Sequence, residues 1–132
     1  GDAIDLSGSR ATIEGIRVFE TADKALSAGE ATWVTLSGSR FEDVGFGIVS
    51  KDLSDVRAFG VQIKRAKIAA LAAYQKKNVF GPSKIMVKGL QVTETDKTHL
   101  IQKDSSAEID GRSLRQIDLD VDSLYREEPP KP

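Results

Sequence analysis

The sequence predicts an all-β fold, a parallel β-helix of about five coils with roughly 22 residues in each. Two independent sets of positions predict it. The first is a glycine that recurs at Gly15, Gly38, Gly60, Gly89 and Gly111, with spacings of 23, 22, 29 and 22 residues. Four residues before it stand Ala11, Val34, Val56, Ile85 and Ala107. Two before it stand Ile13, Leu36, Ala58, Val87 and Ile109. Three after it stand Val18, Phe41, Ile63, Val92 and Leu114. All are apolar, and the residues between them are mostly polar (Thr12, Thr35, Arg57, Glu108), with Met86 the exception. This is the period-two alternation of strands, interrupted once per unit at the glycine. The second set is Ile4, Leu26, Ile48, Leu71 and Leu100, spaced 22, 22, 23 and 29, which open strand-like stretches between the glycine blocks.

In such a coil each strand lies on the strand of the coil below, and equivalent inward positions stack into ladders of Val, Ile, Leu and Ala. The glycine marks a bend, where a positive φ or close backbone approach is needed. The position after it reads Ile16, Ser39, Val61, Leu90 and Arg112, which predicts partial burial. The 29-residue interval holds an insertion at residues 75–82, where Gly81-Pro82 signals a turn. A corner accepts the extra loop at small entropic cost. Residues 62–77 are alanine-rich with basic ends and no Gly or Pro, and alone read as a helix. The repeat register assigns them to strand, because Ile63 and Leu71 fall on ladder positions.

The 132 residues (14.3 kDa) fit one domain, with 39% hydrophobic residues to build a core. Residues 1–124 are read as the β-helix with a C-terminal capping strand, and residues 125–132 as an extended proline-rich tail. Nineteen Lys and Arg balance twenty Asp and Glu, which argues against a generic nucleic-acid binder. Without cysteine there is no disulfide framework or thiolate site, and one histidine, His99, gives no multi-His cluster. No apolar run reaches the ~20 residues of a membrane span.

The register, together with Asp5-Leu6-Ser7-Gly8-Ser9, Gly47-Ile48-Val49-Ser50-Lys51-Asp52, Ala72-Ala73-Tyr74-Gln75-Lys76-Lys77 and Phe80-Gly81-Pro82, resembles right-handed parallel β-helix proteins of the pectate-lyase-like superfold. These blocks are similar to the last coils of β-helix regions in large bacterial secreted or surface proteins, including CotH-like ones. The resemblance covers about residues 3–114. It implies a right-handed single-stranded solenoid, an extracellular or cell-surface location, and a scaffold whose activity lies elsewhere. Many enzymes acting on acidic polysaccharides share the superfold, but fold does not fix function. The lyases use calcium-binding carboxylates with a basic residue on one face. Here the carboxylates are scattered and no catalytic cluster assembles, so the chain reads as a non-enzyme with no cofactor.

Candidate site residues follow from residue type. Trp33, Tyr74 and Phe80 are aromatics able to stack on a sugar. Lys76 and Lys77 lie in the insertion and suit an anionic glycan or protein partner. Tyr74 and Phe80 also bracket the loop, so packing it onto the body is the plainer reading. Lys64, Arg65 and Lys67 belong to the same basic group, for which a solvated corner is the plainer reading. Arg17 and Arg40 align one coil apart, with Gln62 and Gln91 continuing an outward polar row. Asp118, Asp120 and Asp122 alternate with Ile117, Leu119 and Val121. They lack the glycine and closing Glu of an EF-hand loop and read as an edge strand with one wet face, not a metal site. His99 has no Ser or Asp partner. There is no phosphate-loop or nucleophile-elbow motif.

A stack must be capped at its ends. Residues 2–6 already fit the repeat, so another protein chain or further N-terminal coils are expected to cover residues 2–28. Residues 117–124 are expected to fold over the last coil. The leading function is a non-catalytic structural or interaction module within a larger surface protein or assembly. The alternatives are a carbohydrate-active or glycan-binding fragment, and a scaffold that self-assembles end to end.

Overall fold

The alternation of inward apolar and outward polar residues closes the chain into a parallel β-solenoid of about five turns, as the repeat predicts. The computed structural model describes residues 1–126. Their strands are β1 (Ile4–Ser7), β2 (Arg10–Glu14), β3 (Arg17–Gly29), β4 (Trp33–Ser37), β5 (Arg40–Lys51), β6 (Asp55–Tyr74), β7 (Lys84–Thr93), β8 (His99–Gln102), β9 (Ser106–Ile109), β10 (Arg112–Ser113) and β11 (Gln116–Ile117). They are followed by the short helix α1 (Val121–Arg126).

Three walls enclose the core. The first wall stacks β1, the second halves of β3, β5 and β6, then β8 and β11. The second wall stacks β2, β4, the start of β6, the start of β7, and β9. The third wall stacks the first halves of β3 and β5, the middle of β6 and the end of β7. In the second wall Ala11, Val34, Val56, Ile85 and Ala107 form one inward ladder, and Ile13, Leu36, Ala58, Val87 and Ile109 the next. In the third, Val18, Phe41, Ile63 and Val92 stack in register. The outward row Arg17, Arg40, Gln62, Gln91 lies on that same wall.

The corner between the second and third walls is the repeat glycine, which takes the left-handed conformation, as at Gly38 (φ 58°) and Gly60 (φ 65°). The corner between the third and first walls is made instead by Glu20, Asp43 and Arg65, with φ between 54° and 58°. There β3, β5 and β6 bend without ending. Just past this bend β6 carries one extra residue against β5, and the pairing shifts by one residue between Val44 and Phe46. Gly47 lies in this stretch because its surroundings leave no room for a side chain. A Cβ there would stand 2.5 Å from Ile63 Cδ1 and 2.6 Å from the Ala70 carbonyl oxygen. The carbonyl belongs to the adjacent coil and cannot swing aside. Gly47→Ala is therefore expected to cost about 1–3 kcal/mol, read as a lower urea midpoint.

Residues 62–74 are strand, part of the 20-residue β6. Their alanines are required because the first wall is covered on both faces. Ala73 faces the core, and Ala72 packs outward against the C-terminal segment; both are fully buried. The insertion begins after Tyr74, as expected. Nine residues, 75–83, join β6 to β7 where three, 52–54, join β5 to β6, and the second-wall register resumes at Lys84.

The structure corrects two expectations. The first-wall ladder passes from Leu71 to His99, not to Leu100. The connection from β7 to β8 is one residue shorter than the period implies. His99 therefore takes the inward position, Ile101 is buried in the core, and Leu100 turns outward. The second correction concerns residues 117–124, which are not a capping strand. After β11 the chain leaves the sheet, and residues 121–126 form α1. Ile117, Leu119 and Val121 alternate as in a strand. However, Leu119, Val121, Leu124 and Tyr125 meet an apolar strip of Phe46, Val49, Ala69 and Ala72, and a helical turn brings them onto it. The segment covers the outer face of the first wall rather than the end of the stack. Tyr125 belongs to this packing and not to a tail; residues 127–132 of the expected tail lie outside the described residues.

The two ends of the solenoid differ. At the C-terminal end, β10 turns back antiparallel on β9, pairing Arg112 with Ile109 and Ser113 with Glu108. β11 lies on β8. At the other end, β1, β2 and the first half of β3 each have one paired edge, toward the second coil. Their inward residues Ile4, Leu6, Ala11, Ile13 and Val18, and Ile16 at the corner, are only half-buried.

Candidate functional site: surfaces of the solenoid

Four surfaces carry the residues singled out by type. The insertion is held by Asp52, whose Oδ1 accepts hydrogen bonds from the backbone N–H groups of Lys76 and Lys77, both at 2.7 Å. Gln75 ties the loop internally: its side-chain amide donates to the carbonyls of Lys77 (3.1 Å) and Phe80 (2.5 Å), while its N–H donates to Gln102 Oε1 (2.7 Å). Leu53 N–H donates to Gly81 O across the base. The loop is thus a fixed projection of its corner. Lys76 and Lys77 are exposed, Phe80 is half-buried against the body, and Val79 at the tip is 87% exposed. Lys77 Nζ pairs with Glu30 at 3.3 Å. The Ser7 hydroxyl and Lys77 together hold the Glu30 carboxyl below its ordinary pKa.

Tyr74 is not part of this exposed surface. Its side chain is fully buried, and its hydroxyl lies 2.6 Å from that of Tyr125, with the rings edge to face. Tyr125 in turn lies against three lysines. Lys76 Nζ stands 4.0 Å from its ring centroid, Lys24 5.3 Å and Lys51 6.0 Å. Lys24 is itself buried and paired with Asp23 (2.8 Å) and Asp2 (3.5 Å). This surface closes the C-terminal segment onto the first wall; the sequence reading missed it because Tyr125 looked like the start of a tail.

The cluster sets a pH dependence. Burial raises the Tyr74 phenol, and the neighbouring Tyr125 charge and hydroxyl raise it further. Burial also raises Tyr125, against the hydrogen bond to Tyr74 and the Lys24 charge. Burial would lower Lys24, but the Asp23 hydrogen bond and the Asp2 charge outweigh it, so its pKa is raised. Above about pH 10 unfolded phenols lose protons that the folded state retains, so the folded state loses stability as pH rises. The raised Lys24 acts in the same direction. Lys51 acts in the opposite one: burial and the Lys24 and Lys76 charges lower its pKa. Between that lowered value and the ordinary lysine value the unfolded chain binds more protons, and stability rises with pH. With three groups against one, urea midpoints are expected to fall from about pH 9.5 to 11. The double variant Tyr74→Phe with Tyr125→Phe is expected to flatten that fall.

The third surface is the outward face of the second wall. Trp33 is half-exposed here, and the Arg10 guanidinium lies 5.0 Å from its ring centroid. Around them run the rows Arg10, Trp33, Asp55, Lys84, Ser106 and Thr12, Thr35, Arg57, Met86, Glu108. Two shallow depressions lie along this face, one beside Trp33 and the other between Arg57 and Glu108. The structure does not bring Trp33 together with Lys76, Lys77 and Phe80, which belong to the insertion at a corner. The fourth surface is the open first coil.

Elsewhere the side chains serve the stack. At the bend of the third wall Arg65 holds Asp43 through Nε (2.6 Å) and Nη2 (2.9 Å) and reaches Glu94 at 3.3 Å. Its hydrogen bonds lower the Asp43 carboxyl and raise the Arg65 guanidinium. A buried hydroxyl column lines another corner. Thr32 Oγ1 accepts the Ser9 N–H (3.2 Å), Ser54 Oγ the Thr32 N–H (3.0 Å), and Ser105 Oγ the Ser83 N–H (3.0 Å). Asp118 and Asp120 are exposed ahead of α1 and Asp122 sits in its first turn, so they do not line one face of a strand. Among the described residues no group of three or more His, Asp or Glu side chains could hold a metal ion. His99 is half-buried, and its Nδ1 has no hydrogen-bond partner among the described residues. No helix among them is long and apolar enough to cross a membrane.

Comparison of the chain with protein-family models, characterised proteins and solved structures found no match.

Proposed function

We propose that the chain is a non-catalytic structural and interaction module that docks through its open first coil. One observation carries this reading. The first coil has an unpaired strand edge on all three walls and a half-buried apolar interior, whereas the second wall of the last coil is folded back on itself by β10. An uncovered edge of this kind pairs with another strand. The occupant is a further coil, of another chain or of the same polypeptide, over residues 2–28. The resemblance of residues 3–114 to the last coils of pectate-lyase-like and CotH-like bacterial proteins supports a right-handed coil and a place in a secreted or surface assembly.

A second reading rests on Trp33. A half-exposed indole beside Arg10 on a flat polar wall suits an acidic glycan, with the insertion as a separate contact through Lys76, Lys77 and Phe80. A carbohydrate-active form of this second reading parts from the first on turnover. Incubated with polygalacturonate or alginate, the chain is expected to release neither reducing ends nor unsaturated products. Release of either would overturn the non-catalytic reading and favour a carbohydrate-active enzyme.

A further inference from the structure

We propose that Tyr74 and Tyr125 form an oxidative cross-linking site, at which a small anionic one-electron oxidant joins the two rings and locks the C-terminal segment onto the first wall. This site is separate from the docking surface proposed above and holds whatever covers the first coil.

The chain has two tyrosines and no cysteine. No disulfide can fasten the C-terminal segment, yet the fold brings both tyrosines hydroxyl to hydroxyl, 2.6 Å apart, across 51 positions of sequence. Their ring centroids are 6.3 Å apart and the planes are inclined by 78°. Rings joined through the carbons beside their hydroxyls keep those hydroxyls adjacent and the planes twisted. The pair is therefore held close to the disposition of the joined product. Tyr74 ends β6 and is fully buried, whereas Tyr125 is half-buried on the short helix α1. The closing movement falls on α1, and Tyr74 is out of reach of another molecule.

The surroundings select an anionic oxidant. The ammonium groups of Lys76, Lys24 and Lys51 lie 4.0, 5.3 and 6.0 Å from the Tyr125 ring centroid. The nearby carboxylates of Asp23 and Asp2 are engaged by Lys24, at 2.8 and 3.5 Å. This basic rim draws a small anion toward the ring and repels a cation. Carbonate radical is an oxidant of that kind. Burial keeps both phenols protonated at neutral pH, so each oxidation removes a proton with the electron.

One carbonate radical takes an electron and the phenolic proton from Tyr125 and becomes bicarbonate. The Tyr125 phenoxyl radical then takes the hydrogen atom of the Tyr74 hydroxyl along their hydrogen bond, which moves the radical inward. A second carbonate radical oxidises Tyr125 again in the same way. The two phenoxyl radicals combine through ring carbons ortho to their oxygens, and one C–C bond forms. The hydrogen on each of those carbons moves to the oxygen of its own ring and restores the phenol. In total the pair loses two hydrogen atoms, and two carbonate radicals become two bicarbonates.

The whole chain, exposed to photogenerated carbonate radical, tests this. Products are read by the fluorescence of dityrosine and by mass spectrometry after trypsin, with circular dichroism confirming that each variant is folded. Peptides 68–76 and 116–126 are expected to appear joined, lighter by two hydrogen atoms than their sum, in chains that stay single on a denaturing gel. Tyr74→Phe and Tyr125→Phe are each expected to lower the fluorescence at least about tenfold, and so is urea that unfolds the unsubstituted chain. The linked chain is expected to unfold at a higher urea midpoint, because the link closes a long loop. Oxidation of Trp33 without any joined peptide would overturn the proposal. So would links between chains that survive Tyr74→Phe, an equal yield in urea, or a linked chain with an unchanged midpoint.

Discussion

Replacing Phe41 by alanine is expected to cost about 3–5 kcal/mol of folding stability. Phe41 is fully buried and stands in the third wall between Val18 and Ile63. It is the one aromatic residue among the four in that ladder. Its ring fills the space above smaller inward residues, and the flanking coils are fixed by continuous parallel pairing from Arg40 to Glu42. They cannot close on the gap, so the lost transfer energy is joined by the cost of a cavity. Urea denaturation followed by circular dichroism measures this. Phe41→Leu keeps most of the volume and is expected to lose much less. A loss below about 1 kcal/mol for alanine would mean that the coils settle around the vacancy and the ladder is not close-packed.

Tyr125→Ala is expected to cost about 2–4 kcal/mol. The substitution removes the ring that three lysines contact and strands the buried Tyr74 hydroxyl. It also loosens Val121, Leu119 and Leu124 from Phe46, Val49, Ala69 and Ala72. Tyr125→Phe separates the contributions. It keeps the ring and deletes only the partner of Tyr74, for an expected loss of about 1–2 kcal/mol. Binding of a dye specific for apolar surface is expected to rise for alanine and stay unchanged for phenylalanine. Equal losses for both variants would place the whole effect in the hydroxyl pair.

Much of the fold is written in the inward positions. A period of about 22 residues places Val34 over Ala11 and Val56 over Val34, because a parallel stack has no freedom to shift register once one face is buried. The third corner left no comparable mark. Glu20, Asp43 and Arg65 take left-handed conformations without glycine, so three long bent strands read as separate short ones. The hydroxyl column was legible but overlooked: six residues before each repeat glycine stand Ser9, Thr32, Ser54, Ser83 and Ser105. Of the chosen site residues, Tyr74 misled because a tyrosine beside a lysine pair resembles a surface aromatic. Its burial comes from a segment 51 positions away, which no local pattern reveals. The same holds for Ser27, Val49 and Ala72. All three face outward from a wall, and all three are buried.

That C-terminal segment also bears on how the molecule comes apart. A solenoid in which each coil touches only its neighbours can fray from either end, one coil at a time. Here residues 119–125 meet Lys24, then Phe46 and Val49, then Ala69, Ala72 and Tyr74, and finally Leu100, so one short stretch of chain clasps four successive levels. Loss of any level loosens the clasp on the other three. The four clasped levels are accordingly expected to unfold as one cooperative unit, with the slowest-exchanging amides along the clasped wall.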